Sequence, residues 1–184
     1  MHDPMWNEVA IWALGLLVAL GAGWLDWRFR RIPNWLTVSG FFAGLGMNGI
    51  LSGWSGVLKG LEGAGIGLAV LILPVIFRGM GAGDLKLMGA LGACLGPRKF
   101  LIVLFISIFI SGIMSIVAMV RKRRVKKTLG NMAVLIRAFA TFGMGAREAL
   151  VTLDTPDALP LPFGVATAFA VVIVVLAKST FGIF

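Results

Sequence analysis

Tyrosine is missing from this chain of 184 residues, and histidine and cysteine occur once each, as His2 and Cys94. A lone cysteine excludes an intrachain disulfide and a CxxC metal site. A single histidine, next to the first residue, argues against zinc. Acidic residues number eight against 17 Lys and Arg, and charged residues make up 14% of the chain. A soluble domain carries roughly 25%. The shortage of charge leaves mostly hydrocarbon: 59% hydrophobic residues and a mean hydropathy of +0.96. The composition is that of an all-α integral membrane protein, a single domain over 1–184 with no length left for a soluble catalytic unit.

The net charge of +9 is not a nucleic-acid footprint. Its cations lie between apolar segments, where membrane orientation and anionic headgroups account for them. Hydropathy predicts six transmembrane helices at about 7–25, 35–52, 60–77, 85–97, 100–120 and 159–177, most of them reaching the ~20 residues that a bilayer requires. The first lacks the basic leader of a cleaved signal peptide and is expected to remain as a helix. Thirteen of the Lys and Arg fall on one side of this arrangement and four on the other. The positive-inside rule therefore predicts a cytoplasmic (inner) membrane protein with both termini outside. Residues 121–147 are basic and then amphipathic, as expected of a helix lying on the cytoplasmic face.

Small residues recur four apart, in Gly15–Ala19–Gly23, Gly40–Gly44, Gly63–Gly67, Gly89–Ala93 and Gly92–Gly96. That spacing lets helix backbones approach closely in lipid and predicts a tight bundle.

Two of the scarce acids stand at the ends of apolar segments on the same predicted side. Asp26 closes the first span, and Asp84 opens the fourth in Gly79-Met80-Gly81-Ala82-Gly83-Asp84-Leu85-Lys86. An ionisable residue at a membrane-spanning segment is a functional-site hypothesis by default. The run from Asp84 to Pro97 rises only about 20 Å, so Asp84 is expected roughly 10 Å inside a core about 30 Å thick. Two carboxylates held close share a proton. One can then take a proton from water while the other polarises a carbonyl, which is peptide hydrolysis without metal or cofactor. Gly81 and Gly83 could supply positive φ and close approach. Structural roles compete with this chemistry. Asp26 could pair with Arg30 at i,i+4, Asp84 could be a helix N-cap, and Lys86 could be a snorkelling anchor.

The segment from Gly79 to Ala93 resembles the second catalytic motif of the type IV prepilin peptidases, membrane aspartyl proteases of the GxGD type. Asp26-Trp27-Arg28-Phe29-Arg30-Arg31-Ile32-Pro33-Asn34 is similar to the first motif, and Leu161-Pro162-Phe163-Gly164 to a Pro-Phe-Gly element before the last helix. The resemblance implies that Asp26 and Asp84 are the catalytic pair, supported by Gly81, Gly83, Lys86, Pro33, Asn34, Pro162 and Gly164. It implies cytoplasmic-side cleavage of basic leaders from prepilin-like protein substrates, with the bilayer as the other partner. The paired cysteines of the bifunctional members are not found here, so the resemblance is to the peptidase-only branch serving tight-adherence pili or archaeal flagellins. Two rivals use the same residues differently: a small proton- or cation-coupled transporter, and a non-enzymatic secretion subunit.

Overall fold

The computed structural model describes residues 4–76, 80–121 and 162–181. Among these residues there are four α-helices and no strand: α1 (Pro4–Phe29), α2 (Asn34–Ile76), α3 (Ala82–Arg121) and α4 (Phe163–Phe181). All four are long and apolar enough to cross a bilayer. The all-α membrane expectation holds; the expected number of helices does not. The segment expected at 121–147 falls, beyond Arg121, outside the described residues, as do the first residues of the last predicted span.

The difference from six lies in how α2 and α3 are interrupted. Sequence reading placed a loop near 53–59, but one residue does the work. Gly53 has φ 62° and ψ −150°, and Gly96, inside α3, has φ 70° and ψ 174°. Both values lie in a region that is essentially closed to residues with a Cβ. The chain doubles back at each. A Cβ added to Gly60 would lie 2.8 Å from Leu45 Cδ2, although a straight helix would separate the two residues by about 22 Å. A Cβ on Gly67 would likewise meet both Met88 O at 2.8 Å and Phe100 Cζ at 2.9 Å, one from each limb of α3. Pro97 then opens the second limb of α3 in the position where a missing N–H costs least.

Reversing a helix inside an apolar slab strands the last carbonyls of the limb. Ala93 faces this acutely, because its ordinary i+4 partner would be Pro97, which has no N–H. Asn48 supplies the missing donors. Its buried Nδ2 donates to Ala93 O at 2.9 Å, Cys94 O at 2.9 Å and Gly44 O at 3.0 Å. Composition gave no warning of this role beyond a lone amide in an apolar span.

The small residues do what their spacing implied. The first limb of α3 is inserted between the two limbs of α2, with backbone nearly on backbone. An added Cβ on Gly44 would meet Cys94 N at 2.7 Å, and Cβ atoms on Gly63 or Gly92 would each collide with the other's carbonyl oxygen. On α1, Ala19, Ala22, Gly23 and Asp26 share the inward stripe, all buried, at i, i+3, i+4 and i+7. Gly23 faces Ala168 of α4, where a Cβ would come within 2.7 Å of the alanine methyl. Leu87, Met88, Leu91, Phe100, Val103 and Val171 complete the fully buried core. Large apolar side chains such as Leu17, Phe42, Phe105 and Phe109 are exposed, as a lipid-facing surface requires.

At the α1 N-terminus, Glu8 is held by two cations from other helices, Lys99 at 2.5 Å and Lys178 at 2.6 Å. This pins α1, the second limb of α3 and α4 together at the end of the bundle remote from Asp26.

Gly92→Val should destabilise the bundle by about 1–3 kcal/mol or more through overpacking. Gly65→Ala, where an added Cβ meets nothing within 4 Å, should be neutral or gain up to ~1 kcal/mol of helix propensity. Thermal unfolding in detergent, with the two variants side by side, checks the contrast.

Candidate active site

Three helices begin at the end of the bundle where α1 finishes. The starts of α2 and α4 are built alike on a proline carbonyl. Leu36 N donates to Pro33 O at 3.2 Å, and Val165 N donates to Pro162 O at 3.2 Å. For α3 the corresponding acceptor is Gly81, whose carbonyl takes Asp84 N at 3.1 Å and Leu85 N at 3.5 Å. Helix N-termini carry unpaired N–H groups and the positive end of the dipole. Their convergence makes this end of the bundle a favourable place for carboxylates.

Asp26 occupies it from α1. The residue is only 7% exposed, and its backbone and side chain are both engaged. Its carbonyl accepts from Arg30 N at 2.9 Å, closing α1 with Arg30 in the left-handed region at φ 54°, a position usually given to glycine. Its carboxyl Oδ2 accepts from the amide of Gly164 at 2.8 Å, in the first turn of α4. Asp26 thereby caps a helix far from it in sequence. The fit demands glycine, because a Cβ on Gly164 would lie 3.0 Å from both Asp26 Cβ and Oδ2. The Arg30 pairing considered for Asp26 from the sequence does not anticipate this partner. The signal was the Pro162-Phe163-Gly164 run at a helix start.

Asp84 occupies the same end from α3. It is half-buried and is not the N-cap of its helix. It stands three residues beyond Gly81, and its Oδ2 reaches back to accept from Gly81 N at 3.2 Å, the carboxylate arm of a capping box. The two aspartates singled out from the sequence thus share one end of the bundle, each oriented by a backbone amide.

The supporting residues gather around them, with one correction. Gly81 and Gly83 were expected to use positive φ, yet among the described residues only Gly53 and Gly96 are glycines that do so. Gly83 lies inside the first turn of α3, where an added Cβ would make an ordinary contact with Ile32 Cβ at 3.4 Å. The glycine seats the start of α3 on the segment leaving Asp26. Lys86 does not simply snorkel to the interface. Its Nζ donates to Asn34 Oδ1 at 2.9 Å, tying the second motif to the first. Pro33 and Pro162 act through the helix starts just described. Trp24 and Trp27, edge to face at 6.4 Å, and Trp35 are exposed around this end, in keeping with an interfacial aromatic belt. Among the described residues no cluster of His, Cys, Asp and Glu could hold a metal ion.

The sequence profile of the type IV leader peptidase family matches residues 12–116. The match takes in Asp26, Asp84 and every supporting residue except Pro162 and Gly164, which α4 contributes from beyond it. The chain belongs to this family of peptidases. No curated protein and no solved structure matches it.

Gly164→Val should lower peptidase activity by about 100-fold, the scale of loss expected when a reacting group is displaced by about 1 Å. Gly89→Ala should keep most of it, since its added Cβ meets only the tip of Leu68, at 3.2 Å. Rates per molecule of membrane-inserted enzyme decide between the two.

Proposed function

We propose that this member of the type IV leader peptidase family is an aspartyl endopeptidase in which Asp26 and Asp84 form the catalytic pair, cleaving basic leaders from prepilin-like precursors. The observation that carries the reading is that both carboxyl groups stand at the same end of the bundle, each held by the amide of a helix start. Two carboxyl groups within electrostatic reach do not both ionise freely, and a shared proton gives them different tasks. The ionised one draws a proton from water as the oxygen attacks the peptide carbonyl. The protonated one donates to the carbonyl oxygen; as the C–N bond breaks, the proton taken from water passes to the leaving amine and the second aspartate regains its own from the diol. The amides of Gly164 and Gly81 each fix the Oδ2 of one aspartate.

The membrane setting in this proposal has six crossings, because the glycine reversals in α2 and α3 divide each into two limbs. The basic asymmetry of the sequence places the aspartates on the cytoplasmic side of the inner membrane and both termini outside. The first limb of α3, from Ala82 to the break at Gly96, rises only about 20 Å against a hydrocarbon core of about 30 Å. On that reckoning the Asp84 end would be immersed below the interface, and water must be admitted around it. A transmembrane precursor could present its leader there without leaving the bilayer. The peptidase would act alone of the two activities that larger members combine, without a methyl-transfer step.

Asp26→Asn and Asp84→Asn should each abolish leader removal while membrane levels stay normal, because one carboxyl group cannot both accept the water proton and donate to the carbonyl. Co-expression with pilin-like precursors encoded in the same genome, followed by the mobility of the precursor on a gel, reads the outcome. Full processing by either variant would refute the assignment of the pair.

A further inference from the structure

We infer that the hydrogen bond from Lys86 to Asn34 is a positioning contact that sets the separation of Asp84 from Asp26. The inference rests on the catalytic pairing proposed above and extends it to two residues that touch neither carboxylate.

Asp26 is fixed to α4 through Gly164, and Asp84 is fixed to its own helix start through Gly81. Neither of those contacts relates one aspartate to the other. The connection between them runs through the short segment that leaves α1. After Asp26 the chain turns at Arg30, in the left-handed region, and passes Ile32 and Pro33 into Asn34, the first residue of α2. The start of α3 is laid against that segment at two points. Gly83 lies on Ile32, close enough that an added Cβ would be 3.4 Å from Ile32 Cβ, and Lys86 Nζ reaches Asn34 Oδ1 at 2.9 Å. Asp84 lies between Gly83 and Lys86. Two contacts flanking one residue define its position along the helix axis and its rotation; the apolar contact alone would let the turn slide.

The chemistry of the partners suits positioning. Asn34 presents a neutral carbonyl, so it holds Lys86 without cancelling its charge, and Lys86 keeps two N–H donors for water or substrate. A carboxylate at 34 would hold the lysine as well or better. An apolar residue would release it.

The test combines kinetics with a readout independent of catalysis. Lys86→Met and Asn34→Leu should each lower kcat about ten-fold with KM little changed, since the reacting groups are misplaced and the substrate is still bound. The double variant should also lose about ten-fold, not about 100-fold, because both changes remove one shared contact. Lys86→Arg and Asn34→Asp should recover most of kcat. For the geometry, Ile32→Cys with Gly83→Cys in a Cys94→Ala background should form a disulfide under mild oxidation, the Cβ separation being close to the ordinary one of roughly 3.5–4.5 Å. Adding Lys86→Met should slow that cross-link several-fold. An unchanged cross-linking rate, or losses in kcat that multiply in the double variant, would overturn the inference. If no precursor were cleaved by the unmodified protein, the peptidase reading would fail, and the cross-linking rates would still decide whether the contact positions α3.

Discussion

Helices in a bilayer gain little from hydrophobic burial against one another, since lipid is as apolar as a neighbouring leucine. Close packing must replace it, and close packing here means contact between backbones. Gly63 against Gly92 expresses that constraint between α2 and α3, and Gly44, Gly60 and Gly67 extend it along both limbs of α2. These contacts seize the first limb of α3 from two sides. That grip places the limb on which Asp84 stands, and the contacts of Gly83 and Lys86 with the segment after α1 act on its first turn. A larger side chain at the glycine seam would shift the helix as a whole, and the carboxylate with it.

The same economy governs the reversals. A loop of ordinary length would expose unpaired backbone groups to hydrocarbon, where each costs several kcal/mol. Turning on one glycine keeps the number of stranded groups small, and Asn48 satisfies carbonyls that the turn at Gly96 leaves behind. The remote end of the bundle is secured differently, by Glu8 between Lys99 and Lys178. Partly exposed ion pairs add little net stability, but one carboxylate shared by two helices is a directional tie. It joins the start of α1 to the end of α4, the two helices whose other ends meet at Asp26 and Gly164.

At that other end one device appears twice. A carboxyl group accepts the free amide of a helix start, Asp84 that of its own helix and Asp26 that of α4. The arrangement orients each side chain through a neutral backbone donor, Gly81 N for Asp84 and Gly164 N for Asp26.

Much of this was legible in the residues. The poverty of charge and the apolar runs determined a helical membrane protein, the four-residue spacing of small side chains located the seams, and the two isolated aspartates marked the candidate site. These features are local or periodic, so a linear reading can find them. The single-residue turns at Gly53 and Gly96 escaped it, because their sharpness depends on which limbs pack together, not on a loop-like composition. The positive φ expected at Gly81 and Gly83 is not found, because their backbone follows the helix start that Asp84 and the α3 packing define. The partners of Asp26 and Lys86 were likewise decided only by the fold. Gly164 is 138 residues from Asp26 and Asn34 is 52 from Lys86, and separations of that order carry no periodic trace. The sequence determined which groups are available for chemistry; the packing of α1, α3 and α4 decided which of them meet, since in an apolar slab the few polar atoms are placed by the backbones that carry them.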